Sequence, residues 1–250
     1  MKRAVLLLTV MAACLVMASG VALAVTKIGT DGPDTLRGTN GDDNLLGRGG
    51  NDVLYALAGN DNLRGGEGKD WLLTGERRAL SGTKNSLGGP GNDGVTGGLG
   101  SDNLLGGSGN DFVFGDAGSD TLVGGEGRDI VDGWTGSDRM LGGEGGDLLV
   151  DDGFREFSKD VLSGGSGNDV IDAWHRPAVQ DVVTCGSGFD RVIADRADRV
   201  APDCEKVVVV HGSLEDMFEQ GDRFFESLPQ AQREFFFTFE EEQLAPFPNG

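Results

Sequence analysis

Gly97-Gly98-Leu99-Gly100-Ser101-Asp102-Asn103-Leu104-Leu105 runs directly into Gly106-Gly107-Ser108-Gly109-Asn110-Asp111-Phe112-Val113-Phe114, and Gly115 to Val123 and Gly124 to Asp132 keep the same register. The stretch sets a nine-residue period with Asp at the sixth place and a large apolar residue at the eighth. Outward from it, the sixth place reads Asp34, Asp43, Asp52, Asp61 and Asp70 in a first block, then Asp93, Asp102, Asp111, Asp120, Asp129, Asp138 and Asp147 in a second. After a four-residue insertion at 151–154 the period resumes with Asp160 and Asp169, and after a slip near 173–175 it returns at Asp181 and Asp190. The eighth places, from Leu36, Leu45, Leu54, Leu63 and Leu72 through Val95, Leu104, Val113, Leu122, Val131, Met140 and Leu149 to Leu162, Ile171, Val183 and Val192, are apolar throughout.

A repeat of the form G-G-x-G-x-D-x-U-x resembles the haemolysin-type (RTX) calcium-binding nonapeptide family, and the resemblance covers residues 29 to about 200. It implies an all-β chain: a right-handed parallel β-roll, a form of β-helix or solenoid, in which two nonads make one coil and calcium lies between loops two nonads apart. The implied metal residues are the sixth-place carboxylates Asp34, Asp43, Asp52, Asp61, Asp70, Asp93, Asp102, Asp111, Asp120, Asp129, Asp138, Asp147, Asp160, Asp169 and Asp190. With them go the carbonyls of Gly98, Gly100, Gly107, Gly109, Gly125, Gly127, Gly143 and Gly145.

The residue types suit that chemistry. Glycine tolerates the positive φ and close backbone approach that a six-residue turn needs. The last three residues make a minimal strand whose eighth place points inward while the seventh and ninth point out. Stacked coils then bury one continuous apolar stripe, since no single repeat can fold alone. Calcium takes roughly six to eight oxygens, which two carboxylates and several loop carbonyls supply without nitrogen or sulfur. Pairing loops only within the unbroken blocks gives about eight calcium ions. An acidic linker, or a solenoid whose Asp side chains merely cap turns, is the alternative; a linker would not keep an apolar residue two places after each Asp.

Some repeats depart from the pattern. Asp34 follows Pro33, Gly29-Thr30-Asp31-Gly32 replaces the usual opening, and Thr74 to Leu87 is a defective turn with Lys84 where the Asp belongs. That turn is expected to hold no metal, its site lying near the Lys84 ammonium instead.

Residues 1–24 read as a secretory signal: Lys2-Arg3, an apolar run from Ala4 to Val16, and Ala22-Leu23-Ala24 ahead of Val25. A membrane anchor is disfavoured by Ala18-Ser19-Gly20 and the small-x-small ending, and Cys14 sits too deep in the apolar run for a lipoprotein box. The mature chain is expected to have no transmembrane segment and to work outside a bacterial cell, where calcium is plentiful enough for loops of the ~10⁻⁴ to 10⁻³ M class. Loss of Lys2 and Arg3 leaves 19 basic against 41 acidic residues, a net charge of −22. Such charge argues against nucleic acid as a partner and predicts self-repulsion until divalent cations bind.

Cys185 and Cys204 remain after the leader, an even count in an oxidising compartment, which predicts a disulfide closing a C-terminal cap; two free thiols are the alternative. The calcium-binding region is thus placed at 25–210. In 211–250, Ser213 and Asp216 open an amphipathic stretch with Leu214, Met217, Phe218, Phe224, Phe225 and Leu228 on one face, read as a short helix that lids the solenoid or meets a partner.

Catalytic motifs are missing. There is no H-E-x-x-H, only His175 and His211 are present, and no Gly-x-Ser-x-Gly occurs. Gly89-Pro90-Gly91-Asn92-Asp93-Gly94 fits G-x-G-x-x-G only through the nonad spacing. The sequence therefore predicts a secreted, non-enzymatic calcium-binding module with a structural, adhesive or interaction role and a cell-envelope or extracellular protein or glycan as partner. The alternative is a calcium-stabilised module of an extracellular hydrolase or toxin system, though the repeats begin too close to Val25 to leave room for a catalytic unit before them. Outward aromatics such as Trp71, Phe112, Phe114, Trp134 and Trp174 offer a third, interaction-based reading.

Overall fold

A computed structural model describes residues 24–73, 82–151, 158–174 and 178–210. The expected leader and the 211–250 helix lie outside the described residues, as do His175 and His211. The chain divides into two compact units between Val208 and Val209, and only Val209 and Val210 of the second unit are described.

Each nonad folds as its parts require. A loop ends at the sixth-place Asp, and a strand of three to seven residues follows, such as Phe112–Ala117 or Ile130–Asp132. Successive strands alternate between two ten-stranded sheets, so each strand pairs with the one two nonads away. The pairing is parallel, with Leu104, Leu122 and Met140 side by side in one sheet and Val95, Val113 and Val131 in the other. This is the parallel β-solenoid expected from the repeat, and the described residues contain no helix.

Register survives the breaks. Trp71 pairs with Gly94, Met140 with Leu162 and Leu162 with Val183, so the chain advances 23, 22 and 21 residues at these points, where Leu104 to Leu122 advances 18. The inner stripe is dry: Leu54, Leu72, Val95, Val113, Leu122, Val131, Leu149, Leu162, Ile171, Val183 and Val192 are all fully buried. At about 25 cal/mol per Å² each such side chain contributes on the order of 1.5–3 kcal/mol, which makes this stripe the main apolar contribution to stability. In the defective repeat Ser86 takes the eighth place, buried beside Leu63 with its hydroxyl making no hydrogen bond among the described residues. On the outer surface Phe112 stacks on Phe114 at 5.9 Å, and Trp134 lies 6.4 Å from Phe114.

Candidate metal centre

Along each edge of the solenoid the sixth-place carboxylates form a vertical ladder. The Asp93 N–H donates to Asp111 Oδ1, Asp111 N–H to Asp129 Oδ1 and Asp129 N–H to Asp147 Oδ1, at 2.8–2.9 Å. The other edge repeats the bond from Asp102 to Asp120 and from Asp120 to Asp138. The ladders also cross the breaks: Asp70 bonds to Asp93, Asp138 to Asp160, Asp147 to Asp169, Asp160 to Asp181 and Asp169 to Asp190.

One carboxylate oxygen is thereby used, and the other is left over. Oδ2 of Asp52, Asp70, Asp93, Asp102, Asp111, Asp120, Asp129, Asp147, Asp169 and Asp190 is buried and takes no hydrogen bond from the described residues. An unsatisfied buried oxygen of this kind costs about 1–3 kcal/mol, more when charged, so ten in regular array need an explanation.

The glycines shape the space around these oxygens. A Cβ at Gly97 would fall 2.6 Å from Asp102 Oδ2 and 2.7 Å from the carbonyl of Gly115 in the next coil, and Gly106 has the same relation to Asp111 and Gly124. First-place glycine therefore leaves a cradle that a side chain would fill. The second and fourth places turn through positive φ, 132° at both Gly107 and Gly109 and 131° and 129° at Gly125 and Gly127. Gly98, Gly100, Gly143 and Gly145 do likewise, and the carbonyls of Gly100, Gly107, Gly109, Gly125, Gly127, Gly143 and Gly145 each point at the same place in the next coil. Arg48, Leu57, Asp116 and Trp134 occupy second places with the same left-handed backbone, at about 1–2 kcal/mol each for an L residue.

Burial makes these carboxyls harder to ionise in the absence of a cation. It pushes Asp120 and Asp129 up to about 8, Asp93 and Asp169 to about 7, and Asp102, Asp111 and Asp147 to about 6, with neighbouring ladder carboxylates adding to the rise at Asp93, Asp120, Asp129 and Asp169. A hard, oxygen-seeking cation answers both the orphaned oxygens and the suppressed ionisation. The donor set is carboxylate and carbonyl oxygen only, which suits calcium and not a thiolate- or imidazole-seeking metal.

The ladder ends differ. Asp34 Oδ2 accepts from the Thr30 N–H and hydroxyl at 2.5 and 2.9 Å, holding that carboxyl below its usual range. Asp43 Oδ2 accepts from the Thr39 N–H at 2.5 Å, and its Oδ1 from the Val25 N–H. At the other end the ladders close on residues that the nonad register did not nominate: Asp181 donates to Asp198 and Asp190 to Glu205 Oε2. The Cys185–Cys204 disulfide forms beside them, and Asp203 accepts from the Gly186 N–H at 3.1 Å. Asp151 was also outside the predicted set. It stands at the first place of its loop, where most loops carry Gly, and its carboxylate lies within 4.8 Å of those of Asp160 and Asp181. Asp160 is pushed up to about 9, by burial first and the Asp151 charge second.

Lys84 breaks the pattern from inside. It is fully buried, and its ammonium donates to the carbonyls of Gly59 at 2.8 Å and Gly82 at 3.3 Å while standing 3.3 Å from Asp61 Oδ2.

Two ladders of buried carboxylates over glycine cradles define a β-solenoid lined with oxygens suited to cations. A family model for the RTX calcium-binding nonapeptide repeat matches residues 28–63, 46–76, 87–122, 114–149 and 158–174. The match spans more than half of the chain, which belongs to that family. No curated protein matches the chain.

Proposed function

We propose that the protein is a secreted module whose fold is made by calcium, with a structural or adhesive task outside the cell and no catalysis of its own. The observation that carries the reading is the row of buried Oδ2 atoms facing cradles that glycine leaves open. Asp52, Asp70, Asp93, Asp102, Asp111, Asp120, Asp129 and Asp147, with the carbonyls of second- and fourth-place glycines, would hold the ions. Calcium supplies the positive charge that these carboxylates otherwise lack. Pairs within the unbroken blocks account for about eight ions, and the pairs 70/93, 138/160, 147/169, 160/181 and 169/190 carry the same ladder bond and extend the set. The leader at 1–24, the charge and the disulfide support export. Among the described residues no helix is long and apolar enough to cross a membrane.

The test is calorimetry and circular dichroism of the mature chain with calcium and with chelator. Calcium is expected to convert an expanded chain into a β-rich one, because a ligand that favours only the folded form stabilises it by mass action. A chain equally β-rich in chelator at pH 8 would overturn the reading, and hydrolase activity of the purified calcium form would overturn its non-enzymatic part.

A further inference from the structure

We infer that the ammonium of Lys84 is a built-in cation standing where a calcium ion would stand between the loop ending at Asp61 and its own, so that this one seam of the solenoid is closed without metal. The inference rests on the calcium reading above and concerns the seam which that reading would leave out of the ion count.

The donor geometry is that of the other loops with one substitution. Elsewhere a sixth-place Oδ2 is left unanswered, beside loops whose fourth-place carbonyls point into the next coil. Here those same atoms, Asp61 Oδ2, Gly59 O and Gly82 O, surround the Lys84 Nζ. Gly59 and Gly82 are fourth-place residues of the lower and upper loop, and both keep the positive φ of that place, 117° and 132°. The ammonium donates to both carbonyls and pairs in charge with Asp61 Oδ2, and the four-carbon stem brings the charge to a position that a sixth-place Asp leaves to an ion. A buried lysine persists only when paired and hydrogen-bonded, and Lys84 is both.

Two further features fit a metal-free seam. Ala56 stands at the first place of the lower loop, where Gly38 and Gly97 leave open cradles, and it is buried. The regular ladder bond is also absent: the Asp61 N–H donates to the Thr83 carbonyl at 2.9 Å, because the sixth place above has no carboxylate to accept it. The ladder restarts one coil higher, where the Lys84 N–H donates to Asp102 Oδ1 at 2.6 Å. The seam coincides with the longest break, at which the chain advances 23 residues between paired positions. In the folded chain a tethered cation there answers the Asp61 carboxylate without drawing on calcium.

The experiment uses the mature chain and counts bound calcium by equilibrium dialysis with metal analysis, alongside melting at saturating calcium. Lys84→Asp is expected to raise the count by at least one ion over wild type. Lys84→Met is expected to add no ion and to lower the melting temperature by roughly 6–20 °C, since it strands the Asp61 carboxylate. An unchanged count in a folded Lys84→Asp chain would overturn the inference. So would a Lys84→Met chain that melts with wild type, and that arm decides the matter where Lys84→Asp fails to fold. A wild-type chain that binds no calcium would instead overturn the function proposed above, so the two failures are separable.

Discussion

Raising the pH of the calcium-stripped chain from 5 to 8 should unfold it. In the folded form burial holds Asp120 and Asp129 up to about 8, whereas an unfolded carboxyl titrates near about 3.9. A carboxyl whose folded value is raised binds its proton more tightly folded than unfolded. Its contribution to stability is therefore intact below about pH 4 and is lost as pH climbs toward about 8. Over the three units from pH 5, each of these two groups gives up on the order of 4 kcal/mol, at about 1.4 kcal/mol per unit, before solvent screening at the solenoid edge trims the figure. Asp93 and Asp169, at about 7, surrender somewhat less, and Asp102, Asp111 and Asp147, at about 6, less again. Asp120 and Asp129 together reach roughly 8 kcal/mol, comparable to the whole stability of an ordinary domain, about 5–15 kcal/mol. The assay is urea unfolding in chelator at pH 5, 6.5 and 8, followed by far-UV circular dichroism and by the fluorescence of Trp71, Trp134 and Trp174. The midpoint should fall steadily with pH, and calcium at pH 8 should restore it with release of protons, visible as a dependence of binding heat on buffer ionisation enthalpy. A midpoint in chelator that is flat or rises from pH 5 to 8 would refute the reasoning, because the ladder carboxyls would then not carry the cost assigned to them.

At saturating calcium, Leu122→Ala should lose about 2–5 kcal/mol by urea unfolding, since Leu122 is fully buried in the stripe. Asp111→Asn keeps an oxygen for the Asp93 N–H but removes the charge, and should lower the calcium count by at least one in calorimetry. Leu57→Gly should stabilise the folded chain by about 1 kcal/mol in the same unfolding assay, because Leu57 sits at φ 70° where glycine carries no Cβ penalty. Cys204→Ser should cost on the order of 3 kcal/mol, measured against wild type with and without reductant, through the loop that the Cys185 bridge closes.

The fold was legible because one residue type per place carries one physical demand. Leu104 to Val113 to Leu122 announces an inward stripe, and a strand this short has only one inward residue to announce. Lys84 was legible as a defect, since a charge of the wrong sign at the sixth place cannot serve a cation site. What spacing could not show were groups that join the ladders from outside the register. Asp198 and Glu205 close the two edges from a segment where the period has lapsed, and Asp151 enters a site through a first place that normally has no side chain. Counting only unbroken blocks likewise missed that a parallel stack absorbs an insertion as extra chain length while its ladder continues, as Asp70 to Asp93 does. The one signal to be had was chemical: Ser86, polar at an apolar place and two residues past Lys84, keeps the beat through the defective turn.

A sixth-place carboxylate oxygen receives three different answers in this molecule. Near the amino-terminal end it is given N–H and hydroxyl donors, from Thr30 to Asp34 and from Thr39 to Asp43. At one interior seam it is given an ammonium, from Lys84 to Asp61. Through the central block the second oxygens of Asp93, Asp102, Asp111, Asp120, Asp129 and Asp147 are given nothing by the described chain. Only the third answer can be varied from solution, because the first two are covalently attached to the fold. On the calcium reading proposed above, the oxygens open to control by calcium therefore lie mostly between the Lys84 seam and the disulfide-bound cap, with those of Asp52 and Asp70 before it.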